Sequence, residues 1–214
     1  MDKIILIGGG GHCKVILSQL KQLNEYSVVG IIDNTQPIKS SINGVRVIGN
    51  DNDLEELYKK GIGYAFIAVG SVKDNSKRRK LFDKTKKIGY KFPVLISRNS
   101  IIDNSVEIGK GTIVMPGAVI NVSARIGDNC IINTGAIIEH DCKIGSHVHI
   151  APGVSISGDV EIGEQSFVGI GSVIIQGIII GKNVTIGAGS VVIKDVPDNF
   201  TVVGNPVKEI GIKN

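Results

Sequence analysis

The sequence predicts a two-part fold: a small α/β domain of residues 1–95, then a parallel β-solenoid of residues 96–197, with a C-terminal tail of residues 198–214. Two observations carry this prediction. An Ile or Val recurs at every sixth position from Ile96 to Val192, whereas the residues before Ile96 lack that period and alternate apolar runs with amphipathic stretches. A chain of 214 residues with 42% hydrophobic content is long enough for two small domains.

An apolar residue at every sixth position fits neither an α-helix nor a strand of alternating polar and apolar residues. It fits a solenoid in which each hexapeptide forms one short strand and one corner, with the aliphatic side chain inside. A small or β-branched residue, such as Ala136 or Cys142, follows four positions later and fits the corner. Three sides close a triangular coil of 18 residues, so seventeen hexapeptides supply between five and six coils. The aliphatic positions are Ile96, Ile102, Ile108, Val114, Ile120, Ile126, Ile132, Ile138, Ile144, Ile150, Ile156, Ile162, Val168, Ile174, Ile180, Ile186 and Val192.

The first domain shows strand and helix patterns in alternation, which predicts a small parallel α/β sheet with its ligand at the carboxyl ends of the strands. The predicted strands are "KIILIG", "YSVVGIID", "VRVIG", "YAFIAVG" and, as the last, "FPVLIS". The predicted helices are "GGGGHCKVILSQLKQL", which a glycine turn opens, "DNDLEELYKKG" and "DNSKRRKLFDKTKKIG".

Composition and charge exclude several classes of function. The net charge of +4 is mild and the lysines are spread along the chain, so we expect no nucleic-acid platform, although small anionic ligands remain open. No apolar run is long enough to span a bilayer, and "MDKIILIG" lacks the layout of a signal peptide. The three cysteines favour reduced thiols, and we expect a cytoplasmic protein that does not engage a membrane.

The glycine run after the first strand only partly fits the dinucleotide fingerprint G-x-G-x-x-G. The third position holds Cys13 in one alignment and Lys14 in the other. Unhindered backbone amides at a helix N-terminus nevertheless make a phosphate site, and Asp33 at the end of the second strand could accept hydrogen bonds from a ribose or a uracil. The alternative is a glycine turn that only packs the strand against the helix.

Three of the four histidines lie in the stretch "IIEHDCKIGSHVHIAPG". The 18-residue register stacks His140 beside Gly158, where a backbone N–H could face a substrate oxygen without a side chain in the way. A base beside an oxyanion donor is what acyl transfer from a thioester needs, because an attacking amine or hydroxyl must lose a proton. Asp141 or Glu139 could hold the imidazole in the required tautomer.

The other polar residues of this stretch have different predicted roles. His149 precedes the inward Ile150, so its side chain should point out of the prism, and His147 lies near a corner with a structural role. Cys142 occupies the small inward position of its hexapeptide, and a buried thiol is a poor nucleophile. We therefore expect direct transfer in a ternary complex rather than an acyl-cysteine.

The chain resembles, end to end, a family in which a nucleotide-sugar-binding α/β domain precedes a left-handed parallel β-helix of hexapeptides. The matching stretches are "GGGGHCKV", "IIDN", "IAVG", "NTGAIIEHDCKIG", "GDVEIG" and "GNPVKEI". The family includes the acetyltransferases of UDP-4-amino-4,6-dideoxy sugars on the way to bacillosamine, the perosamine N-acetyltransferases and the sialic acid O-acetyltransferases. The resemblance implies left-handed coils, acetyl-CoA as the donor, no metal, and a homotrimer with active sites between prisms.

The resemblance also implies roles for residues of the β-helix. His140 corresponds to the general base and Asp141 to the acid that orients it. The backbone of the stacked residues Ile170 and Ala188, together with His149, corresponds to the acetyl-CoA contacts. Gly158 belongs to the same group through its register with His140. Asn133, seven residues before His140, could hydrogen-bond the acceptor sugar, and Lys208 could meet a CoA phosphate.

In the first domain the resemblance implies a sugar-nucleotide site. Gly10, Gly11 and His12 correspond to contacts with the phosphates and the sugar. Asp33 and Asn34 correspond to an acidic pair that contacts uridine, although an amide here replaces one acid. Gly70, at the end of "IAVG", completes the substrate-binding set. Many members have an Asn-containing turn after it, whereas this chain has Ser71 and Val72, which leaves the acceptor open.

The sequence thus predicts an acetyl-CoA-dependent N-acetyltransferase of a nucleotide-activated amino sugar, in polysaccharide or glycan biosynthesis. O-acetylation of a sialic acid is the alternative with the same fold. From another class come a metal site like that of the gamma carbonic anhydrases, built by histidines of neighbouring subunits, and a catalytically silent scaffold.

Overall fold

The computed structural model describes residues 1–72 and 74–213, and within them the chain forms two compact units. The α/β unit comprises Met1–Gly70 and Lys77–Leu95, and the β-helix unit comprises Ser71–Ser76 and Ile96–Asn214. The predicted fold class, an α/β domain followed by a parallel β-helix of hexapeptides, is confirmed. No helix in the described part of the chain is both long and apolar enough to cross a membrane.

The α/β unit contains a five-stranded sheet in the order β3-β4-β2-β1-β5. All neighbours in this sheet pair in parallel except β3 and β4. Its core includes the fully buried side chains of Ile5, Ile32 and Phe66. The elements are β1 (Asp2–Ile7), α1 (Gly11–Leu23), β2 (Tyr26–Ile32), β3 (Ser41–Ile42), β4 (Val45–Gly49), α2 (Leu54–Lys59), β5 (Tyr64–Ile67) and α3 (Ser76–Ile88).

Two features of this unit differ from the sequence prediction. The stretch "FPVLIS" is not a strand of the α/β sheet, because its only strand, Leu95–Ile96, joins the β-helix. The predicted set of strands also lacks β3, which pairs antiparallel with β4 across a two-residue turn. Asn43 and Gly44 form this turn with φ of 48° and 84°. Asn-Gly between two short apolar runs is a strong hairpin signal and could have predicted this strand.

The β-helix unit is built from two-residue strands, one in each hexapeptide, and a closing pair of longer strands. The strands are β6 (Leu95–Ile96), β7 (Ile101–Ile102), β8 (Glu107–Ile108), β9 (Ile113–Val114), β10 (Val119–Ile120), β11 (Arg125–Ile126), β12 (Ile131–Ile132), β13 (Ile137–Ile138), β14 (Lys143–Ile144), β15 (His149–Ile150), β16 (Ser155–Ile156), β17 (Glu161–Ile162), β18 (Phe167–Val168), β19 (Val173–Ile174), β20 (Ile179–Ile180), β21 (Thr185–Ile186), β22 (Val191–Val192), β23 (Phe200–Val203) and β24 (Lys208–Ile212).

These strands form three parallel sheets, the three sides of the prism. The first side contains β7, β10, β13, β16, β19 and β22; the second contains β8, β11, β14, β17 and β20; the third runs from β6 to the antiparallel β24. Paired residues within a side are 18 apart, as with Ile120 and Ile138, so each coil has the predicted 18 residues. We call the turns from first to second side the first corner, from second to third the second corner, and from third to first the third corner.

The inward aliphatic residues form one continuous core. Every one of them from Val114 to Val192 is buried, whereas Ile96 is 39% exposed because it lies in β6, at the edge of the third side. At every sixth position from Gly111 to Gly189, the second residue of the two-residue turn adopts the left-handed conformation, with φ of 60° at Asp141 and 56° at Asp159. The corners thus share one backbone geometry while their side chains vary. Residues 198–214, predicted as a tail, contribute β23 and β24 to the third side.

Candidate functional site

His140 and Asp141 form a hydrogen-bonded pair at the first corner, between β13 and β14. The Nδ1–H of His140 donates to Oδ2 of Asp141 over 2.8 Å, and both side chains are about half exposed. We assign the tautomer from this contact, since a carboxylate accepts only from a protonated nitrogen. The Nε2 atom of His140 is then the one that can accept a proton.

Of the two acids that the sequence offered as partners of His140, the geometry selects Asp141. Glu139 instead accepts a hydrogen bond from the side chain of Asn121, with Nδ2 and Oε2 2.9 Å apart. Asn121 lies one coil before Glu139, in the same register, and so occupies the carboxylate. The left-handed backbone of Asp141 brings its short side chain back toward the preceding imidazole.

Gly158 lies against the imidazole of His140, as the 18-residue register predicts. A Cβ atom at Gly158 would lie 2.5 Å from both Cε1 and Nε2 of that ring, closer than real contacts allow. Ser157 N–H donates to Ile174 O and Asp159 N–H donates to His140 O. Gly158 is buried, and its N–H has no protein acceptor in the part of the chain that the structure describes.

The pair opens into a groove of about 650 Å³ at the first corner. Cationic side chains of the second side, Arg125 and Lys143, line it together with Asp159, Gln176 and Ser123. Lys143 is already paired, because its Nζ lies 2.6 Å from Oε1 of Glu161. This hydrogen bond and ion pair raise the pKa of Lys143 above its ordinary value, which keeps the ammonium charged.

His149 lies on the outer face of the third side, as predicted, but it is only 8% exposed. Ser71 contacts its ring: the Nδ1–H of His149 donates to the carbonyl oxygen of Ser71 over 2.8 Å. Its Nε2 accepts from Nδ2 of Asn133, 3.2 Å away, and Phe167 packs edge-on at a ring distance of 5.2 Å. Both ring nitrogens are thus engaged in hydrogen bonds, which hold the ring in place.

An apolar pocket of about 420 Å³ adjoins His149 at the third corner. Ile170 and Ala188 line it, as the resemblance implied for a donor site, together with Phe167 and the exposed Val72. Asn133 lines it too, so the structure groups Asn133 with His149 rather than with His140. The contact of Asn133 with the acceptor sugar stays a prediction.

The three histidines of the motif do not form a cluster. His140 is at the first corner, His147 at the second corner and His149 on the third side. His147 adopts a left-handed turn with φ of 62° and accepts a hydrogen bond from Nδ2 of Asn129, which fits its predicted structural role. No group of three His, Cys, Asp or Glu able to hold a metal occurs among residues 1–72 and 74–213.

The glycine turn of the α/β unit lies at the carboxyl end of β1, as predicted. Gly10 caps α1, and a Cβ at Gly10 or Gly11 would meet nothing within 4 Å, so the amides at this helix N-terminus are open. Gly8 is different, because its Cβ would collide with Val69 after β5. Gly70 packs against the side chain of His12, with 3.3 Å between its Cβ position and that of His12. The predicted residues Gly10, Gly11, His12 and Gly70 therefore share one end of the sheet.

Asp33 is largely committed to its own turn. Its Oδ2 accepts from Gly9 N–H over 2.6 Å, and its Oδ1 accepts from Thr35 and from the N–H of Gln36. Burial alone raises the pKa of the Asp33 carboxyl, but the hydrogen bonds from Thr35, Gly9 and Gln36 outweigh burial and lower it. Asn34 pairs in both directions with Asp51. The predicted uridine pair thus has a structural task that the sequence did not reveal.

We expect Asp33→Asn to lower the free energy of unfolding at neutral pH, by removing the carboxylate that holds the glycine turn. A carboxyl with a lowered folded pKa contributes stability above its unfolded value, and that contribution is lost as the pH falls through the folded value. The difference from wild type should therefore shrink below the ordinary pKa of 3.8. Urea unfolding at several pH values measures it, with the exposed Asp2→Asn as control. A difference independent of pH would contradict this role.

Comparison with known proteins adds to this geometry. Residues 3–85 match the family model of the PglD N-terminal domain, and residues 123–158 and 159–194 match that of the bacterial transferase hexapeptide. A mutant of perosamine N-acetyltransferase from Caulobacter crescentus, in complex with CoA and GDP-perosamine, is 36% identical; the match covers 99% of this chain and 98% of that one, with a TM-score of 0.93. The chain belongs to the hexapeptide-repeat sugar acetyltransferases with a PglD N-terminal domain.

Two further solved structures are similar to this chain. The acetyltransferase domain of PglB from Neisseria gonorrhoeae, in complex with acetyl coenzyme A, is 36% identical, with 97% and 98% of the two chains covered and a TM-score of 0.88. WeeI from Acinetobacter baumannii is 28% identical, with 98% and 100% covered and a TM-score of 0.84. No curated protein sequence matches the chain. The predicted family is confirmed.

Cys142 of this acetyltransferase is a structural thiol. Its Sγ–H donates to the carbonyl of Ser157, fifteen residues on, over 3.1 Å. Cys130, Ser166 and Ser172 make the same bond to carbonyls fifteen residues on. Burial raises the pKa of the Cys142 thiol, which disfavours the thiolate that a covalent mechanism needs.

Replacement of Cys142 tests this interpretation. We expect Cys142→Ser to keep both turnover and stability, because serine makes the equivalent bond elsewhere in the ladder. Cys142→Ala should keep turnover but lose roughly 1 kcal/mol of unfolding free energy, since the carbonyl of Ser157 loses its donor. Steady-state kinetics and thermal unfolding measure both. Loss of turnover in both variants, or an acetylated Cys142 in the mass spectrum, would contradict it.

Sequence reasoning missed three anchoring residues of this acetyltransferase. Ser71 and Asn75 hold the segment Ser71–Ser76 on the β-helix, Ser71 through His149 and Asn75 through Nδ2, which donates to Gln165 O and Ser166 O. Within the α/β unit the buried Arg78 donates from Nη1 to the carbonyls of Ile67 and Val69, which fixes the chain after β5. The sequence contained a sign of this role: Arg78 lies three positions before Leu81, on the apolar face of the helix, where an arginine is buried only if it has partners.

Proposed function

We propose that this protein is an acetyl-CoA-dependent N-acetyltransferase that acetylates the amine of a nucleotide-linked amino sugar by direct transfer. The observation that carries the proposal is the His140–Asp141 pair beside Gly158, whose N–H has no acceptor among the described residues. It supplies a base and an oxyanion donor at one corner of the prism. The similarity over nearly the whole chain to a perosamine N-acetyltransferase in complex with CoA and GDP-perosamine supports the same reaction.

The reaction follows from these groups. The amine nitrogen attacks the thioester carbonyl carbon of acetyl-CoA and forms a C–N bond. The carbonyl oxygen becomes an oxyanion that accepts a hydrogen bond from the N–H of Gly158. Nε2 of His140 takes the proton that the nitrogen loses, while Asp141 stabilises the resulting imidazolium. The tetrahedral intermediate then collapses: the C–S bond breaks, the sulfur of CoA leaves, and the imidazolium returns the proton to it.

The donor site that we propose is the apolar pocket at the third corner. Ile170 and Ala188 line this pocket and would contact the donor through their backbone groups. His149 lines it too, and its hydrogen bonds with Ser71 and Asn133 fix the orientation of its ring. The PglB acetyltransferase domain in complex with acetyl coenzyme A supports this ligand class. For the nucleotide part of the acceptor we propose the open amides of Gly10 and Gly11, which suit a phosphate at the N-terminus of α1.

A homotrimer follows as part of the proposal. In one prism the whole first side separates the corner of His140 from the pocket of His149, so a complete site needs two copies. The outer face of that first side is apolar and partly exposed, at 69% for Ile101, 37% for Ile137 and 39% for Val173. Contact between one copy's first corner and the next copy's third corner is head to tail, and three such contacts close a ring.

We propose a cytoplasmic location as well. All three cysteines, Cys13, Cys130 and Cys142, are free and buried, as is usual in a reducing compartment.

The test is an acceptor screen with acetyl-CoA. The purified protein is incubated with UDP- and GDP-linked 4-amino sugars, with CMP-sialic acid and with free sialic acid, and CoA release and acetylated product are followed. We expect product only with the amino sugars, and sedimentation should give a trimer. Turnover with sialic acids alone would overturn N-acetylation in favour of O-acetylation. Full activity of a monomer would contradict the shared site.

A further inference from the structure

Three carboxylates stand at the two stacked turns around His140, and two of them are engaged. Asp141 accepts from Nδ1 of His140, and Glu139 accepts from Asn121. The third, Asp159, is exposed, and its carboxylate makes no hydrogen bond or ion pair with any residue that the structure describes; its charge adds only a minor contribution to the raised pKa of Lys143, after that of Glu161. It is therefore the acid of this corner that is available to a ligand.

Asp159 lines the groove into which the His140–Asp141 pair opens. Its N–H donates to the carbonyl of His140 over 3.0 Å, and it directly follows Gly158, the residue against which Nε2 packs. His140 and Asp159 line the same groove of about 650 Å³. The cations of that groove are Arg125 and Lys143, and Lys143 is held by Glu161. A substrate nitrogen bound in this groove thus has Asp159 as the carboxylate that no protein donor occupies.

The chemistry of an amine asks for such a second acceptor. When the lone pair of an amine points at the thioester carbon, its two N–H groups point elsewhere, and His140 can accept only one of them. A hydroxyl has a single hydrogen, which the base alone satisfies. We propose that Asp159 accepts the second N–H, orients the nitrogen for attack and selects amine acceptors over hydroxyl acceptors. This inference rests on the proposed function and specifies the reacting group of its acceptor.

The test is the exchange of Asp159 for glycine, which tolerates the left-handed backbone. Asp159 has φ of 56°, and Gly177 occupies the same place one coil later with φ of 70°. We expect Asp159→Gly to lower kcat/KM for the amino sugar about tenfold to a hundredfold, through loss of a charge-assisted hydrogen bond. The inhibition constant of the same nucleotide sugar with a hydroxyl in place of the amine should not change. Asp159→Asn, which keeps an oxygen acceptor without the charge, should fall between.

The controls separate this inference from the proposed function. Gln165→Gly likewise places a glycine at a left-handed turn position, where φ is 63°, but at the second corner, and it should leave kcat/KM unchanged. Acetyl-CoA affinity and thermal unfolding should be alike in all variants, and Asp159→Asn retains the test if the glycine variant does not fold. An active wild type whose amine preference survives in both Asp159 variants would overturn the role of Asp159. A wild type inactive on every amine would overturn the proposed function itself.

Discussion

Replacement of His140 by alanine is expected to lower kcat by about 10²–10⁴-fold, the usual contribution of a general base. The reason is geometric: Nε2 is the one ring nitrogen that Asp141 leaves open, and the ring edge that carries it packs against the Cα of Gly158. Acetyl-CoA affinity should stay close to that of wild type, because the apolar pocket lies at the third corner. Steady-state kinetics and calorimetric titration with acetyl-CoA measure the two effects separately.

His147→Asn is the matched control for this variant. It also removes a histidine from the motif, and asparagine tolerates the left-handed φ of 62°. We expect it to keep most of the turnover. Turnover of His140→Ala within a few-fold of wild type would contradict the base assignment, and a large loss of acetyl-CoA affinity would show that the two sites are not separate.

Gly158→Ala is the second substitution with a large expected effect. The new Cβ would lie 2.5 Å from Nε2 and Cε1 of His140, so the imidazole must turn away from the place where the amine attacks. A displacement of about 1 Å can cost about 10²-fold in rate, and we expect a loss of that order in kcat. The core should be unaffected, because the three atoms nearest to the added methyl group all belong to the half-exposed imidazole of His140.

A double-mutant cycle makes the cause of this effect explicit. If Gly158→Ala acts by displacing the imidazole, it should have little further effect when His140 is already alanine. Gly211→Ala, where a Cβ meets nothing within 4 Å, is the glycine control and should leave kcat unchanged. Full additivity of the two substitutions would contradict the contact as the cause and would indicate an independent role of Gly158.

The parts of this protein that the sequence predicted are those with a strict period. The six-residue repeat predicted the inward core, the 18-residue coil and the contact between His140 and Gly158, because covalent spacing in a regular coil translates directly into stacking. The family resemblance supplied His149, Ile170 and Ala188, and the structure brings them to one pocket.

What the sequence could not predict depends on contacts between distant segments. The burial of His149 results from Ser71, seventy-eight residues away in the chain, and no local pattern encodes that contact. The residues alone left both Asp141 and Glu139 open as partners of His140, and only the resemblance implied Asp141; the physical reason, that Asn121 occupies Glu139, lies one coil away. The prediction for "FPVLIS" was wrong because an apolar run does not specify which sheet its strand will join, and this one joins the β-helix.

The uniform corners of the β-helix have an evolutionary consequence. In each hexapeptide the inward residues form the core, and the two turn residues lie outside it. His140, Gly158 and Asp159 can therefore be replaced without changing the side chains of the core. Selection for a new acceptor and selection for a stable chain therefore act on different positions of the same six residues. Substitutions at single corners of such a β-helix can therefore change the substrate while the buried residues that determine folding stay the same.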